Sequence, residues 1–419
     1  MAEDLSHRFR ERFFVPDGAI ELRAFTHGLM PRTVPEMMAR FLEDWRRFGV
    51  EAWNRIPNHW DPEDPTPVGW WNLPEYLGDR FIAPLIGAEA GTCILLPNVH
   101  WAVSALLSCP EPFLGRRRLV YTAAEFPSVS HTVPRWAQAM RWEAVAVPFP
   151  GSGSTLRAML RAITTRTALV FVSRVTFLSG ERLSDGALEA IAERCRQTGA
   201  LLVLDGYHAV GAEPFRVHDQ GIDLFVGGLL KEGCGSTGNG FLYIRPGLEL
   251  TPRLGGWTGE GDPFAFGSEY RPHPVVRRRF LGGTPAIAPL YHAVEGVRIL
   301  LEAGLEAIRL DNLAKTGWLI DALAPLEAEG LLEIISPRDD ERRGPMLVLQ
   351  IPEASRMASW LAQNGIFVDS RQNRRLRLAP FIWNSYDELA HVRAALEEAL
   401  HTEAHLRDPI PTSGNRVVP

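Results

Sequence analysis

A regular alternation of short apolar runs and helical stretches, from about residue 80 to residue 245, most constrains how this chain can fold. Strands that alternate with helices predict a mainly parallel sheet with helices on both faces, because each helical crossover returns the chain to the same sheet. The apolar runs are TCILLP, RRLVYT, AVAVPFP, ALVFVS, ALLVLD, LFVGG and GFLYI.

The rest of the chain does not show this alternation of strands and helices. Before the alternation, MMARFLEDWRRFGVEAW reads as an amphipathic helix, and after it a long helical segment, APLYHAVEGVRILLEAGLEAIRLDNLAKTGWLIDALAPL, predicts a helix that contains a domain hinge. Strands at MLVLQI and IFVDS and a last helix at YDELAHVRAALEEAL indicate a compact α+β end. We expect an N-terminal arm and helix at 1–60, a large domain at 61–295, a small C-terminal α+β domain at 296–405 and a flexible tail at 406–419.

Composition excludes several classes of function. The 44 Lys and Arg against 50 Asp and Glu give a net charge of −6, which argues against a nucleic-acid partner. No apolar run approaches the roughly 20 residues of a membrane span, so no membrane partner is expected. The start of the chain lacks a signal pattern and the four cysteines show no CxxC pair, which favours the cytoplasm. HTEAH at 401–405 lacks the HExxH order, and no metal site is expected.

Two polar residues follow buried strands in a way that indicates chemistry. Asp205 ends the run ALLVLD, and Lys231 comes 26 residues later, after LFVGGLL and before a glycine-rich turn. Ligands bind at the carboxyl ends of parallel strands, and a lysine with a nearby carboxylate suits pyridoxal 5'-phosphate (PLP), which needs an amine for a Schiff base and an acid at its pyridine nitrogen. The pattern alone leaves open that Asp205 caps a turn and that Lys231 is a surface lysine.

Five segments in matching order identify a resemblance to a known family. LDGYHAVGAEPFRVHDQGIDLFVGGLLK, EFPSVSH, GGWTGEGDPFAFGSEYRP, RRRFLGGTPAIAPL and DSRQNRRLRLAPFIWNSYDEL resemble segments of the class V aminotransferase group of fold type I PLP enzymes, and most closely those of kynureninases. The resemblance runs from about residue 20 to residue 400. It implies an α/β fold with a large PLP domain, built on a mainly parallel seven-stranded sheet, and a small C-terminal α+β domain.

The resemblance also implies catalytic roles. Lys231 carries the cofactor as a Schiff base and later moves the proton at the substrate's Cα, while Asp205 pairs with the pyridine nitrogen. His208 lies over or beside the cofactor ring, and Phe126 covers a ring face. Each of the last two could instead be an ordinary core residue.

Further roles concern the phosphate and the substrate. Val99 and His100 fall where the family holds the phosphate at a helix N-terminus. Thr284 resembles a residue that reaches the phosphate from a neighbouring subunit, and Trp257 matches an aromatic residue nearby, so a homodimer with a shared active site is expected. Arg377 matches the arginine that binds the substrate carboxylate. Nearby arginines could be confused with it: Arg371, Arg374 and Arg375.

Several positions depart from the kynureninase pattern. Leu230 stands where kynureninases have a tyrosine that touches the phosphate and aids proton transfer, and Val129 stands where they have an aspartate. Loss of such a group can remove roughly 10²- to 10⁴-fold in rate, which puts kynurenine hydrolysis in doubt. The other departures are Arg174 for a histidine, Thr176 for an asparagine, and the substrate-loop pair Thr26 and His27.

Three functions stay open at this point. The first is kynureninase-like cleavage of a C–C or C–S bond on the β side of an amino acid other than kynurenine, through a Schiff base and a stabilised carbanion. The second is decarboxylation-coupled oxidative deamination, or transamination, of a cysteine-conjugate-type amino acid in specialised metabolism. The third is an idle PLP-fold binding protein, against which Asp205, Lys231 and Arg377 argue. Desulfurase chemistry through a C-terminal thiol is disfavoured, because no cysteine follows Cys234.

Overall fold

A seven-stranded sheet lies at the centre of the computed structural model, which describes residues 3–407. In chain order the strands are β1 (Ile20–Glu21), β2 (Cys93–Leu96), β3 (Arg118–Thr122), β4 (Glu143–Val147), β5 (Thr167–Ser173), β6 (Leu201–Asp205), β7 (Leu224–Gly228), β8 (Gly240–Ile244), β9 (Glu333–Ile334), β10 (Leu347–Gln350), β11 (Ile366–Phe367), β12 (Asp369–Arg371) and β13 (Arg375–Leu378). The central sheet has the order β2-β8-β7-β6-β5-β3-β4, and only β8 runs antiparallel to its neighbours within it. This confirms the predicted mainly parallel sheet, and each of the seven apolar runs forms one of its strands.

Helices cover both faces of this sheet. Val170 and Leu202 belong to one apolar core, shared with the helices Gly153–Ala162 and Asp185–Thr198, while Leu169 and Val203 belong to a second core, shared with the helices Val99–Ser108 and Thr132–Met140. The helices are α1 (Ser6–Phe9), α2 (Val34–Phe48), α3 (Leu73–Leu77), α4 (Ala83–Leu85), α5 (Val99–Ser108), α6 (Pro127–Ser130), α7 (Thr132–Met140), α8 (Gly153–Ala162), α9 (Asp185–Thr198), α10 (Ile287–Ala293), α11 (Glu295–Ala303), α12 (Leu305–Ala328), α13 (Ala354–Gln363), α14 (Tyr386–Thr402) and α15 (Ala404–Arg407). No helix among the described residues combines the length and apolar composition that crossing a membrane requires.

A second, smaller sheet forms the predicted α+β end. Its order is β12-β13-β10-β9, all antiparallel, and it shares a third apolar core with α12, α13 and α14. The run MLVLQI forms β10, but IFVDS divides into the separate strands β11 and β12. The domain boundaries expected at residues 60, 295 and 405 remain predictions.

Two expectations for the C-terminal half are wrong. The long helical segment is three helices, α10 to α12, because Val294 leaves helical geometry and Gly304 adopts a φ of +83°. The helix at YDELAHVRAALEEAL is not the last, since α15 follows it and includes the first two residues of the expected flexible tail. Residues 408–419 of that tail lie outside the described residues.

The N-terminal segment 20–28 links the small sheet to the loop that carries Lys231. Its strand β1 pairs in parallel with β11, and the Leu22 carbonyl accepts the Ala379 N–H at 2.9 Å. At the other end the Gly28 N–H donates to the Leu230 carbonyl at 3.0 Å. This linking segment therefore places residues 23–27 between the C-terminal part of the chain and the lysine loop.

Gly28 is expected to tolerate no side chain. A Cβ there would overlap the Lys231 carbonyl oxygen and lie 2.7 Å from Cys234 Sγ. We expect Gly28→Ala to lower the free energy of unfolding in urea by about 2 to 3 kcal/mol, the scale of overpacking in a dense interior. The matched control is Gly186→Ala in α9, where nothing lies within 4 Å of the added methyl group and unfolding should be unchanged or slightly harder. Equal stability of the two variants would contradict this close packing.

Candidate active site

One cavity of about 320 Å³ opens where β6 and β7 end and α5 begins. This is the edge of a parallel sheet at which α/β proteins bind ligands. Six residues singled out from the sequence line it together: Val99, His100, Phe126, Asp205, His208 and Lys231. The other lining residues are Asn98, Ser128, Tyr207 and Leu230.

Asp205 lies at the bottom of this cavity because it is the last residue of the buried strand β6. One carboxylate oxygen accepts the Tyr207 N–H at 2.9 Å. Burial raises the pKa of Asp205 to about 6, although the Tyr207 N–H and the charge of Lys231 act in the opposite direction. The site therefore holds a carboxylate that a hydrogen-bonding cation would stabilise.

Lys231 is one of two lysines in the whole chain, which otherwise carries its positive charge on arginine. The other, Lys315, is fully buried and paired with Asp311 at 2.8 Å and Asp4 at 3.2 Å. Lys231 is only half-buried at the cavity wall, and its Nζ contacts His208 Nε2. Burial lowers the pKa of Lys231, while the adjacent Glu232 carboxylate raises it. A neutral, nucleophilic amine is thus favoured at this position.

Aromatic rings surround the lysine. The His208 ring stacks on Phe25, with the centroids 4.3 Å apart and the planes 9° from parallel. Lys231 Nζ lies 4.8 Å from the Phe25 centroid and 5.9 Å from that of Phe126. Burial, with the charge of Lys231, lowers the pKa of His208, so its imidazole stays neutral. Phe126 remains 43% exposed, which leaves its ring free to cover a ligand.

Val99 and His100 are the first two residues of α5. Asn98 caps this helix, and its side chain accepts the Trp101 N–H at 2.8 Å. The remaining N–H groups of the first turn lie at the cavity, where the helix dipole favours an anion. The predicted phosphate-binding role of Val99 and His100 stays a prediction.

Arg377 does not line the cavity. Its guanidinium is ion-paired with Asp369, its partner across β12 and β13, and donates to the Phe177 carbonyl at 2.9 Å and to Thr26 Oγ1 at 3.4 Å. Arg371 pairs with the other oxygen of Asp369. The guanidinium carbon of Arg377 lies 5.0 Å from the Phe25 centroid, so Arg377 and Lys231 approach the same ring. A role in carboxylate binding stays a prediction.

The remaining predicted site residues lie elsewhere. His27 is exposed, although its neighbour Thr26 donates its hydroxyl proton to Asp369. Trp257 is 41% exposed and packs on Trp71, and Thr284 is exposed. Among the described residues neither Trp257 nor Thr284 lines the cavity. In a single chain these three side chains are not brought to Lys231.

The structure shows the burial and the contacts of the residues that depart from the family pattern. Leu230 is on the cavity wall, and Val129 is fully buried in the core that contains α5 and α7. Arg174 is buried in ion pairs with Glu213 and Asp185, both at 2.6 Å. Thr176 shares a 2.6 Å hydrogen bond with Ser179. Cys234 is buried, and burial raises the pKa of its thiol.

Sequence reasoning missed Phe25, Tyr207, Glu125 and Asp369. Glu125 accepts from Thr122 and Ser173 beneath the site, and burial together with the Asp205 charge raises its pKa to about 7. Its position directly before the predicted Phe126 was an available signal. Phe25 and Asp369 had no such signal, because they meet the site only through contacts between distant segments.

Comparisons with known proteins point in one direction. A family model described as aminotransferase class-V matches residues 82–373. The chain is 27% identical to the kynureninase of Pseudomonas fluorescens, over 90% of this chain and 88% of that protein. It is 30% identical to an uncharacterized aminotransferase, YcbU, of Bacillus subtilis, over 76% and 81% of the two chains.

Solved structures share the fold. An apo cysteine desulfurase from Thermococcus onnurineus matches with a TM-score of 0.77 at 19% identity, over 96% of this chain and 100% of that one. A mutant of C-DES, with glycine covalently linked to its PLP cofactor, matches with a TM-score of 0.75 at 16% identity, over 92% and 98%.

Asp205 is expected to destabilise the ligand-free protein. Its pKa is higher in the folded chain than the ordinary 3.8, so folding favours the protonated form and stability falls as pH rises through about 6. Asp205→Asn removes the buried charge. It should stabilise the ligand-free protein by up to roughly 3 kcal/mol above pH 6, and the gain should vanish below about pH 4.

Urea unfolding at several pH values measures this effect. The exposed Asp262→Asn is the matched control and should show no such pH-dependent gain. A ligand-free Asp205→Asn protein that is less stable than the unmodified chain at neutral pH would contradict the reading of Asp205 as a desolvated carboxylate.

Proposed function

Because the chain belongs to the aminotransferase class-V family of PLP-dependent enzymes, we propose that it cleaves a C–C or C–S bond on the β side of an α-amino acid other than kynurenine. One observation carries the proposal: Asp205, His208 and Lys231 surround a single cavity, as their match to kynureninases requires. The similarity to kynureninases over most of the chain supports the β-side reaction.

The residues of the cavity fit PLP. The buried Asp205 has a raised pKa, which a protonated pyridine nitrogen would relieve. Lys231 offers an amine whose lowered pKa makes it available to an aldehyde. The start of α5 offers N–H groups to a phosphate, and the exposed face of Phe126 offers a surface for a flat ring.

Bound PLP supplies an electron sink for the substrate's α carbon. Lys231 holds the cofactor and then moves the proton at the substrate Cα, a task for which its amine must be neutral part of the time. Asp205 would hold the pyridine nitrogen of the bound cofactor in its protonated form. His208, fixed by its stacking on Phe25, orients Lys231 Nζ and stays neutral itself.

Apolar side chains support a substrate other than kynurenine. Leu230 on the cavity wall and the buried Val129 offer neither a proton nor a charge where kynureninases have a tyrosine and an aspartate. Cys234 is buried and no cysteine follows it, so the chain lacks a thiol for persulfide transfer. The apolar Leu230 also favours a second candidate, decarboxylation-coupled oxidative deamination or transamination of a cysteine-conjugate-type amino acid.

A second copy of the chain completes the site in this proposal. Thr284 and Trp257 are exposed and away from the cavity of their own chain, which suits residues that serve a neighbour's site. The substrate carboxylate binds Arg377, which then shares its guanidinium between that group and Asp369. The four free cysteines suit a reducing compartment such as the cytoplasm.

Covalent capture tests the cofactor assignment. After incubation with PLP and reduction with borohydride, mass spectrometry of peptides should find one adduct, on Lys231, and none on the buried Lys315. Lys231→Arg keeps the charge but cannot condense with an aldehyde, so the adduct should disappear while the fold remains. An adduct of equal yield on another residue of the variant would refute the role of Lys231.

Product analysis then identifies the reaction. The holoenzyme is incubated with a panel that includes kynurenine, cysteine S-conjugates and aspartate, and its absorption spectrum shows which amino acid binds. Pyruvate or alanine is the expected product of β-side cleavage. An aldehyde or keto acid, with or without CO₂, would replace the first proposal by the second candidate.

A further inference from the structure

Tyr207 lies in the cavity wall, and its ring fits there only because residue 228 is a glycine. Tyr207 follows Asp205 by two positions, and its ring leans over Gly228, the last residue of β7. A Cβ on Gly228 would lie 2.6 Å from Tyr207 Cζ and 2.8 Å from its hydroxyl oxygen. The absence of a side chain at Gly228 therefore makes room for the phenol.

The position of Gly228 in the sheet also relates the phenol of Tyr207 to the start of α5. Gly228 pairs with Gly240 across β7 and β8. A Cβ on Gly240 would lie 2.7 Å from the Cα of Asn98, the residue that caps α5. Since directly opposed residues in antiparallel strands are only about 5 Å apart, the Tyr207 hydroxyl and the start of α5 occupy neighbouring positions above one glycine pair.

The hydroxyl is available as a hydrogen-bond donor. Burial and the Asp205 charge raise the pKa of Tyr207, so the phenol keeps its proton, while the Leu230 backbone N–H acts on the oxygen in the opposite direction. That N–H places the oxygen beside residue 230. Within residues 3–407 no hydrogen bond donated by the Tyr207 hydroxyl is found, and the residue lines the cavity, so its proton is available to a ligand there.

We propose that the Tyr207 hydroxyl donates a hydrogen bond to the cofactor phosphate, beside the N–H groups at the start of α5. The inference rests on the proposed function, because it assumes that PLP occupies the cavity. It adds a residue that the resemblance did not supply: the chain delivers from position 207 a hydroxyl beside Leu230, where kynureninases are expected to carry a tyrosine.

A comparison of two aldehydes tests this role. PLP and pyridoxal share the ring and the aldehyde, but only PLP carries the phosphate. For Tyr207→Phe, which keeps the ring over Gly228, we expect the Kd for PLP to rise about 10- to 100-fold, the range for loss of a hydrogen bond to a charged group. The Kd for pyridoxal should stay unchanged, and so should its capture by Lys231 after borohydride reduction.

Controls separate the possible outcomes. Tyr121→Phe in β3 removes a phenol that does not line the cavity, and both Kd values should match those of the unmodified protein. An unchanged PLP Kd in Tyr207→Phe, or an equal loss for both aldehydes, would overturn the phosphate contact while leaving the proposed function intact. An unmodified protein that captures neither aldehyde would overturn the proposed function as well.

Discussion

The desolvation of an acid and an amine that follow neighbouring strands is the constraint on which the site depends. Asp205 is buried and Lys231 is half-buried at the edge of the central sheet. The central strands of this sheet are almost wholly enclosed by apolar side chains. Desolvation raises the pKa of the acid and lowers that of the amine, so both groups are driven towards neutrality. The fold maintains this unfavourable state because the two cores fix β6 and β7 from both faces.

The remaining features of the site follow from that arrangement. Phe25 and His208 stack on each other beside the lysine, and its amine lies 4.8 Å from the Phe25 centroid. The linking segment 20–28 is hydrogen-bonded to the C-terminal part of the chain at one end and to the lysine loop at the other, and these bonds fix the position of Phe25 between them. Residues more than 300 positions apart in the chain are thus joined beside Phe25, where the hydroxyl of Thr26 donates to the carboxylate of Asp369.

The sequence predicts the central fold well, because each of its strands is a short apolar run between glycine, proline or helical segments. Prediction from the sequence fails where a helix boundary depends on one residue or where a strand depends on its pairing partner. Periodicity alone cannot reveal the break at Gly304, whose positive φ ends one helix before the next begins. The two-residue strands β1 and β11 exist only because they pair with each other.

The candidate site shows the same division. Six predicted residues line one cavity because each stands at a fixed offset from a strand end or a helix start. Arg377 is predicted to bind the substrate carboxylate, and the structure adds that its cross-strand partner Asp369 already engages it, a pairing that no spacing rule reveals. The sequence does not indicate a role for Tyr207, because the position of its ring depends on the absence of a side chain at Gly228.

The scarcity of lysine has a consequence for how this protein reacts with simple aldehydes. Guanidinium groups stay protonated and do not condense with aldehydes as amines do, so the many arginines of the surface are inert towards them. Of the two lysines, one is sealed in ion pairs, which leaves Lys231 as the accessible side-chain amine. Composition and the burial of Lys315 together confine side-chain condensation with an aldehyde to Lys231, so that, apart from the α-amino group of the chain, stray adducts have no amine on which to form.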